Sequence, residues 1–340
     1  MITGHGNDIY DFEGKIKADF SSNIAYRNAS ARIIEHLKTK LDSIIHYPDP
    51  NASRLKERIA HHHGLNTENI LITNGSAEAF YLLAHYFAQK KTLIPYPSFA
   101  EYEDACRLFK HKLHFVAIEK LKGENIVNVE TVWIGNPNNP DGIHTAAETI
   151  AGWCVNFPKT VFIIDTAYAT LSTICDDVTL LHGQYSNLIT VHSLTKAFAI
   201  AGLRLGYIVA DSHIIAALDA LRTPWTVNSL AQEAGHFIMR HYAELHPNAG
   251  MMCTQSRHLQ QALSEIEELE VKWSACHYFL VKMRKGTAAQ LKIFLIDNHG
   301  ILIRNADNFR GLTPQHFRLA VQTNDKNSAL IKALKNYFAR

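Results

Sequence analysis

The sequence predicts an α/β chain with a mainly parallel central sheet and a smaller α+β unit. Three observations carry that reading. From Ile70 to Ala210 short apolar runs alternate with helix-like periodicity, and strands separated by helices rejoin a sheet in the same direction. The run Val161-Phe162-Ile163-Ile164 is apolar at every position, as suits a strand covered on both faces. Beyond Pro224-Trp225 the rhythm changes to longer helices with short strands between them. At 340 residues and 47% hydrophobic content the chain can bury a large core, and its length suggests about two domains. The expected division is an N-terminal arm with part of a small domain over 1–44, a large domain over 45–225 and a small C-terminal domain over 226–340.

Taken in order, the opening segment through Asp19-Phe20-Ser21-Ser22-Asn23 is polar, carries Gly4, Gly6 and Gly14, and reads as an extended arm. Ala31 to Lys40 places Ile33, Ile34 and Leu37 on one helical face. His46-Tyr47-Pro48-Asp49-Pro50 breaks the chain before a helix from Ser53 to His62. The triplet His61-His62-His63 precedes Gly64, a helix stop. Consecutive helical positions face different ways, so the three cannot share one metal, and a solvated helix end is expected. Ile70-Leu71-Ile72 is a strand. Thr73-Asn74-Gly75-Ser76-Ala77-Glu78 then opens a helix from Ala77 to Ala88. That turn is either an anion site of free backbone N–H groups or a plain Ser76 cap.

Leu93-Ile94 is a strand running into Pro95-Tyr96-Pro97-Ser98-Phe99-Ala100-Glu101-Tyr102, whose aromatics suit a flat ring or a core equally. His114 to Ile118 and Thr131 to Ile134 follow as strands. The latter ends in the turn-dense octet Gly135-Asn136-Pro137-Asn138-Asn139-Pro140-Asp141-Gly142, and loops at strand ends are where binding residues gather. Val161 to Ile164 ends in Asp165, with Tyr168 three residues on. A carboxylate there either holds a pyridinium nitrogen protonated or caps the next helix. In the last third, helices are expected at Ser229 to Tyr242, Thr254 to Glu268 and Asn327 to Phe338. Strands are expected at Tyr278 to Met283, Ile301 to Arg304 and Phe317 to Val321.

The chemistry centres on the stretch Ser193 to Tyr207, which follows the apolar run Leu188-Ile189-Thr190-Val191. Lys196 sits between hydroxyl residues, with Arg204 eight positions on. An amine whose pKa is lowered by a cationic, desolvated site attacks an aldehyde readily. Ser193, Thr195 and Arg204 offer the hydroxyls and planar fork of donors that suit a phosphate monoester. Together they describe either a site for pyridoxal phosphate or, as so short a motif taken alone would favour, a strand, a polar turn and a surface helix with ordinary charges. A net charge of +2 with 19% charged residues argues against a nucleic-acid partner. Five scattered cysteines without C-x-x-C spacing indicate neither a zinc site nor a disulfide framework. No signal-peptide pattern opens the chain and no apolar run would cross a membrane, so a cytoplasmic setting is expected.

These segments resemble fold-type I pyridoxal-phosphate enzymes of the aminotransferase class I/II superfamily over nearly the whole chain. Tyr47-Pro48-Asp49-Pro50, Asn74-Gly75-Ser76, Asn136-Pro137-Asn138-Asn139-Pro140 and the Lys196 segment are similar to the histidinol-phosphate aminotransferase branch. The L-threonine-O-3-phosphate decarboxylase branch of cobalamin synthesis is more closely echoed. It shares His5-Gly6, Asp19 to Ile24, Phe99-Ala100-Glu101-Tyr102, Ser193 to Lys196, Pro224 to Asn228 and Ile301 to Arg304.

The resemblance implies that Lys196 binds the cofactor covalently and moves protons, Asp165 pairs with the ring nitrogen, and Asn139 and Tyr168 bond the phenolic oxygen. It implies that Tyr102 stacks on the ring and that Ser193, Thr195, Arg204 and the N–H groups of Ser76 and Ala77 hold the phosphate. Tyr47 is expected to reach the phosphate of a neighbouring subunit, which implies a homodimer with shared sites. Arg318 is expected on the substrate carboxylate, Arg304 and His5 on the substrate phosphate, and Asn23 at the same end. The implied activity is decarboxylation of L-threonine O-phosphate, with transamination of histidinol phosphate as the alternative; no metal is implied. Asp165-Thr166-Ala167-Tyr168 and Asn139-Pro140-Asp141-Gly142 depart from the usual Asp-Glu-Ala-Tyr and Asn-Pro-Thr-Gly, and both spare the ring-contacting residues.

Overall fold

A computed structural model describes residues 6–26, 30–174, 178–181 and 183–339. Its strands are β1 (Ala18–Asp19), β2 (Ile70–Thr73), β3 (Lys91–Tyr96), β4 (Lys112–Ala117), β5 (Thr131–Gly135), β6 (Val161–Asp165), β7 (Leu188–Ser193), β8 (Gly206–Val209), β9 (Leu269–Lys272), β10 (Tyr278–Met283), β11 (Ile301–Leu302), β12 (Arg304–Asn305) and β13 (His316–Ala320). Seven of them form one sheet in the order β2-β8-β7-β6-β5-β3-β4. The pairs from β7 to β4 are parallel, while β8 runs antiparallel to both its neighbours. The expectation of a mainly parallel sheet therefore holds, with one reversed strand that the sequence reading left unnamed. Between β7 and β8 lie only the four-residue helix Leu194–Ala197 and the 3-10 turn Ala201–Leu203. That is too little chain to cross the sheet face, so the strand folds straight back. The same short return confines Lys196 to the sheet edge.

The central strands are buried on both faces. Ile163, Ile189 and Ile208 pack with Phe80, Leu83 and Ile215 on one side. Phe162, Ile164 and Leu188 pack with Val132 and Ile150 on the other. Helix Ser229–Arg240 is capped by Asn228, whose Oδ1 accepts from Ala231 N at 2.8 Å. Its Ala231, Ala234 and Ile238 join Leu55, Ile59, Ile70 and Val209 in a third cluster.

A second sheet, in the order β12-β13-β10-β9, is antiparallel throughout. Helices Ala249–Ser264, Ala288–His299 and Asn324–Phe338 cover it through Leu259, Leu291, Leu295, Leu330 and Leu334. The strand expected from Ile301 to Arg304 is split at Ile303. β11 pairs in parallel with β1, whereas β12 pairs with β13. The arm is consequently more than an extended tail. Phe20 N donates to Leu302 O at 2.8 Å and Ala320 N donates to Phe20 O at 2.9 Å, which stitches it between β11 and the β13 strand of the second sheet.

Three local readings change. The helix expected from Thr254 begins at Ala249, because Asn248 Oδ1 accepts from Met251 N at 2.9 Å. Ser76 is not a cap: helix Gly75–Tyr86 starts after Asn74, and Ser76 lies in its first turn. Of the histidine triplet, His61 and His62 are exposed, but His63 is half-buried with Nε2 at 2.9 Å from the Tyr207 hydroxyl.

Candidate active site

Register brings the chemistry together. Gly135 pairs with Asp165, Asp165 with Val191, and Gly206 with both Ser193 and Thr73. The carboxyl ends of β2, β5, β6 and β7 thus share one edge with the start of β8, the usual place for a ligand in an open α/β sheet. Ser193 caps helix Leu194–Ala197 by accepting from Thr195 N, and its Oγ lies 2.7 Å from Thr195 Oγ1. Burial pushes the Lys196 amine from its ordinary 10.5 down to about 8; the Arg318 and Arg204 guanidiniums add to this and Asp165 opposes it. Far more of the neutral, nucleophilic amine is therefore present near neutral pH than an ordinary lysine would supply.

Asp165 makes the capping bond of one of the two readings given above, and its second oxygen takes a bond from a tyrosine. Its Oδ1 accepts from Ala167 N at 2.9 Å, a turn-capping bond. Its Oδ2 accepts from the Tyr102 hydroxyl at 2.6 Å. Burial pushes this carboxyl above its ordinary value, against the bonds from Tyr102 and Ala167 and the charge of Lys196. Tyr102 stands in helix Ala100–Leu108, buried edge-on to Phe80 at 4.9 Å. Its bond to Asp165 was not legible in the sequence, where the two lie 63 positions apart.

A cluster of hydrogen-bond donors is built around two glycines. A Cβ on Gly75, where φ is +76°, would stand 2.6 Å from Arg204 Nη2. Only glycine lets the guanidinium lie over the start of helix Gly75–Tyr86, whose first-turn N–H groups at Ser76 and Ala77 have no intrahelical partner. A Cβ on Gly206 would stand 2.8 Å from Ser76 N. Ser76, Ala77, Ser193, Thr195 and Arg204 are thereby gathered at one place.

The opposite wall comes from the second sheet and the arm. Arg318 is buried; its Nη1 donates to Asn139 Oδ1 and its Nη2 to Ser21 O, each at 2.5 Å. Its Nε has no partner, and no carboxylate of the described residues lies within ion-pair distance of it. Arg304 is paired with Arg318 across β12 and β13. Its Nη2 donates to Asn308 Oδ1 at 2.8 Å and its guanidinium stands 5.3 Å from the Phe309 ring centroid. Burial and then Arg318 push Arg304 down to about 10. Tyr168 packs edge-on to Tyr278 at 4.9 Å, beside the buried amide of Asn23. A cavity of about 230 Å³ lies between, lined by Lys196, Asn139, Tyr168, Asn23, Arg304 and Arg318.

Two expected residues are not part of this gathering. Tyr47, expected at a neighbouring subunit's phosphate, is 83% exposed, 5.1 Å from the Trp225 ring, and does not line this cavity. His5 lies outside the described residues, although the neighbouring Gly6 lines the cavity. Conversely, Ser21, Asn308, Phe309 and Tyr278 shape the site and were not singled out from the sequence. Asn308 and Phe309 lie four and five positions past Arg304, which was the available signal.

The donor set fits pyridoxal 5'-phosphate. An enclosed amine of lowered pKa, a buried carboxylate and a glycine-lined cradle of hydroxyl, guanidinium and N–H donors match its aldehyde, ring nitrogen and phosphate. Fold and site together define a fold-type I pyridoxal-phosphate enzyme. The chain belongs to the aminotransferase class I and II family, whose profile matches residues 15–334. Among individual relatives, it is 33% identical to a candidate threonine-phosphate decarboxylase of Caldanaerobacter subterraneus subsp. tengcongensis, over 98% of this chain and 94% of the relative. A histidinol-phosphate aminotransferase of the same organism is 30% identical over 85% and 83%. The crystal structure of L-threonine-O-3-phosphate decarboxylase from Porphyromonas gingivalis superposes with a TM-score of 0.90 at 35% identity, covering 95% of this chain and 100% of that one.

Proposed function

We propose that the chain decarboxylates L-threonine O-3-phosphate, giving (R)-1-aminopropan-2-yl phosphate and carbon dioxide, a step of cobalamin synthesis. The observation that carries this reading is the pair of buried arginines, Arg304 and Arg318, opposite each other at the wall facing Lys196. Two like charges side by side in a desolvated wall are costly unless anions come to them. An α-amino acid bearing a phosphate brings two. The likeness to the decarboxylases, over nearly the full chain, supports the same reading.

In this reading Lys196 anchors the cofactor, and Ser76, Ala77, Ser193, Thr195 and Arg204 hold its phosphate. Asp165 keeps the ring nitrogen protonated, with Tyr102 fixing the carboxylate. Asn139 and Tyr168 bond the phenolic oxygen. When bound, pyridoxal phosphate supplies an aldehyde for the substrate amine and a ring that accepts the electron pair of a broken Cα bond. Arg318 takes the α-carboxylate through its unpartnered Nε, and Arg304 takes the substrate phosphate, with His5 and Asn23 at the same end. Two anchors fix the rotation about the amine, and so which Cα bond stands perpendicular to the ring. With the carboxylate bond so held, carbon dioxide would depart and leave the bond's electron pair to the bound cofactor, and Lys196 Nζ would supply the proton that replaces it on Cα.

The test uses cofactor-loaded protein with L-threonine O-phosphate and no keto acid. Release of carbon dioxide with aminopropanol phosphate is expected. Absence of carbon dioxide, together with amino transfer from histidinol phosphate to 2-oxoglutarate, would establish the aminotransferase instead.

A further inference from the structure

Arg304 is placed by a segment that is itself tied to the other sheet. Residues 306–312 leave β12 and cross to the edge formed by β3 and β4. There Arg310 meets Glu103 of helix Ala100–Leu108 with two bonds, Nε to Oε2 at 2.9 Å and Nη2 to Oε1 at 2.6 Å. Glu103 is only 6% exposed, while the Arg310 side chain remains 40% exposed, so the carboxylate is buried and the guanidinium reaches it from the surface. The Arg310 guanidinium also lies 3.9 Å from the centroid of Phe115 in β4. The next residue, Gly311, has φ +80°, and a Cβ there would stand 2.5 Å from the Tyr96 ring. Pinned at that end, the segment presents Asn308 and Phe309 to Arg304. Arg318, by contrast, is held by Asn139 and Ser21.

We propose that Arg310, through its double ion pair with Glu103, is a positioning residue for recognition of the substrate's phosphate. The pair sets Asn308 and Phe309, and these hold the Arg304 guanidinium in the cleft against the repulsion of Arg318. The inference rests on the assignment of Arg304 to a substrate phosphate. It assigns the pair no part in carboxylate binding or in the chemistry.

The experiment compares wild type with Arg310→Ala and Glu103→Gln, each loaded with cofactor. Apparent dissociation constants for L-threonine O-phosphate and for unphosphorylated L-threonine come from the change in cofactor absorbance, and KM and kcat from carbon dioxide release. Loss of positioning should raise KM and the dissociation constant for the phosphorylated compound about tenfold or more, with kcat within about twofold and L-threonine binding unchanged. Arg310→Ala leaves Glu103 paired with Arg107 Nε at 2.7 Å, so the variant retains a partner for the buried carboxylate. Gly311→Ala, which displaces the same segment sterically, should give the same split. An unchanged dissociation constant for the phosphorylated compound in folded Arg310→Ala, or an equal loss for both compounds, overturns the proposal. If the wild type releases no carbon dioxide, the parent reading fails separately, and the same variants are read with histidinol phosphate, which carries the same monoester.

Discussion

Lys196 is a residue whose surroundings decide its chemistry. Its amine is brought to about 8 by burial, Arg318 and Arg204, so cofactor uptake by the apoprotein should rise through about pH 8 rather than near the ordinary lysine value of 10.5. Replacing Arg318 with Met removes one of the charges that lower it, so the midpoint should move upward; an unmoved midpoint in the absorbance titration would show that the charge does not act on Lys196. Lys196→Ala should abolish both the bound-cofactor absorption band and turnover. Asp165→Asn keeps a hydrogen-bonding side chain and removes the charge. Its kcat should fall by about 10²-fold or more with folding intact, as for other buried electrostatic partners. Wild-type kinetics there would reduce Asp165 to its bond with Ala167 N.

At the scale of elements, the loop from Asn136 to Gly142 is held by a partner from the other sheet. Asp141 is fully buried and its Oδ2 lies 3.1 Å from Lys272 Nζ in β9. The same carboxylate accepts from Asn138 Nδ2 at 2.7 Å, next to Asn139 in the cleft. This gives the departure from the usual Asn-Pro-Thr-Gly a structural role, since a threonine could not pair with Lys272. Lys272→Met leaves a buried carboxylate without its cation. It should cost about 3 kcal/mol, the low end for a broken buried pair because Lys272 keeps some solvent contact. Burial already raises Asp141 above its ordinary value of 3.8. With Lys272 gone its folded pKa rises further, so the folded state takes up the proton more readily than the unfolded one. Relative to wild type, the variant's loss of stability should therefore be smallest below about pH 4 and grow as pH climbs through the folded pKa of Asp141. Thermal melts across pH check the sign, and Asp141→Thr with Lys272→Met together should recover most of the loss.

At the scale of the molecule, Ile44, Ile45 and Tyr47 are 66%, 75% and 83% exposed, and Trp225 beside them is 48% exposed. A ridge of that character on a chain with so large a core suits a second copy. We propose a homodimer in which Tyr47 completes the partner's phosphate cradle. Mixing Lys196→Ala with Tyr47→Ala subunits tests it, because a hybrid dimer would regain one intact site. Activity rising toward a quarter of wild type is expected from the mixture, and no rise would show that Tyr47 does not complete the partner's site. Among the described residues no helix is long and apolar enough to cross a membrane.

By itself the sequence determined the alternation that makes the sheet, the fully apolar central strands, and the Lys196, Asp165 and Asn139 segments at strand ends. These are local properties: periodicity, turn chemistry and side-chain type act over a few residues and need no knowledge of distant chain. Some missed elements were equally local. Helix Ala288–His299 has a Thr287–Gln290 capping box and a Gly300 stop, and helix Ser212–Leu221 begins at an Asp211 cap. Tertiary structure alone decided the reversal of β8, the split at Ile303 and the pairing of Tyr102 with Asp165. It also decided that Asp141 meets Lys272 across 131 positions and Arg310 meets Glu103 across 207. Such pairs leave no trace in local pattern, because a charged residue on a loop reads as solvated until the fold removes the water around it and leaves one opposite charge within reach.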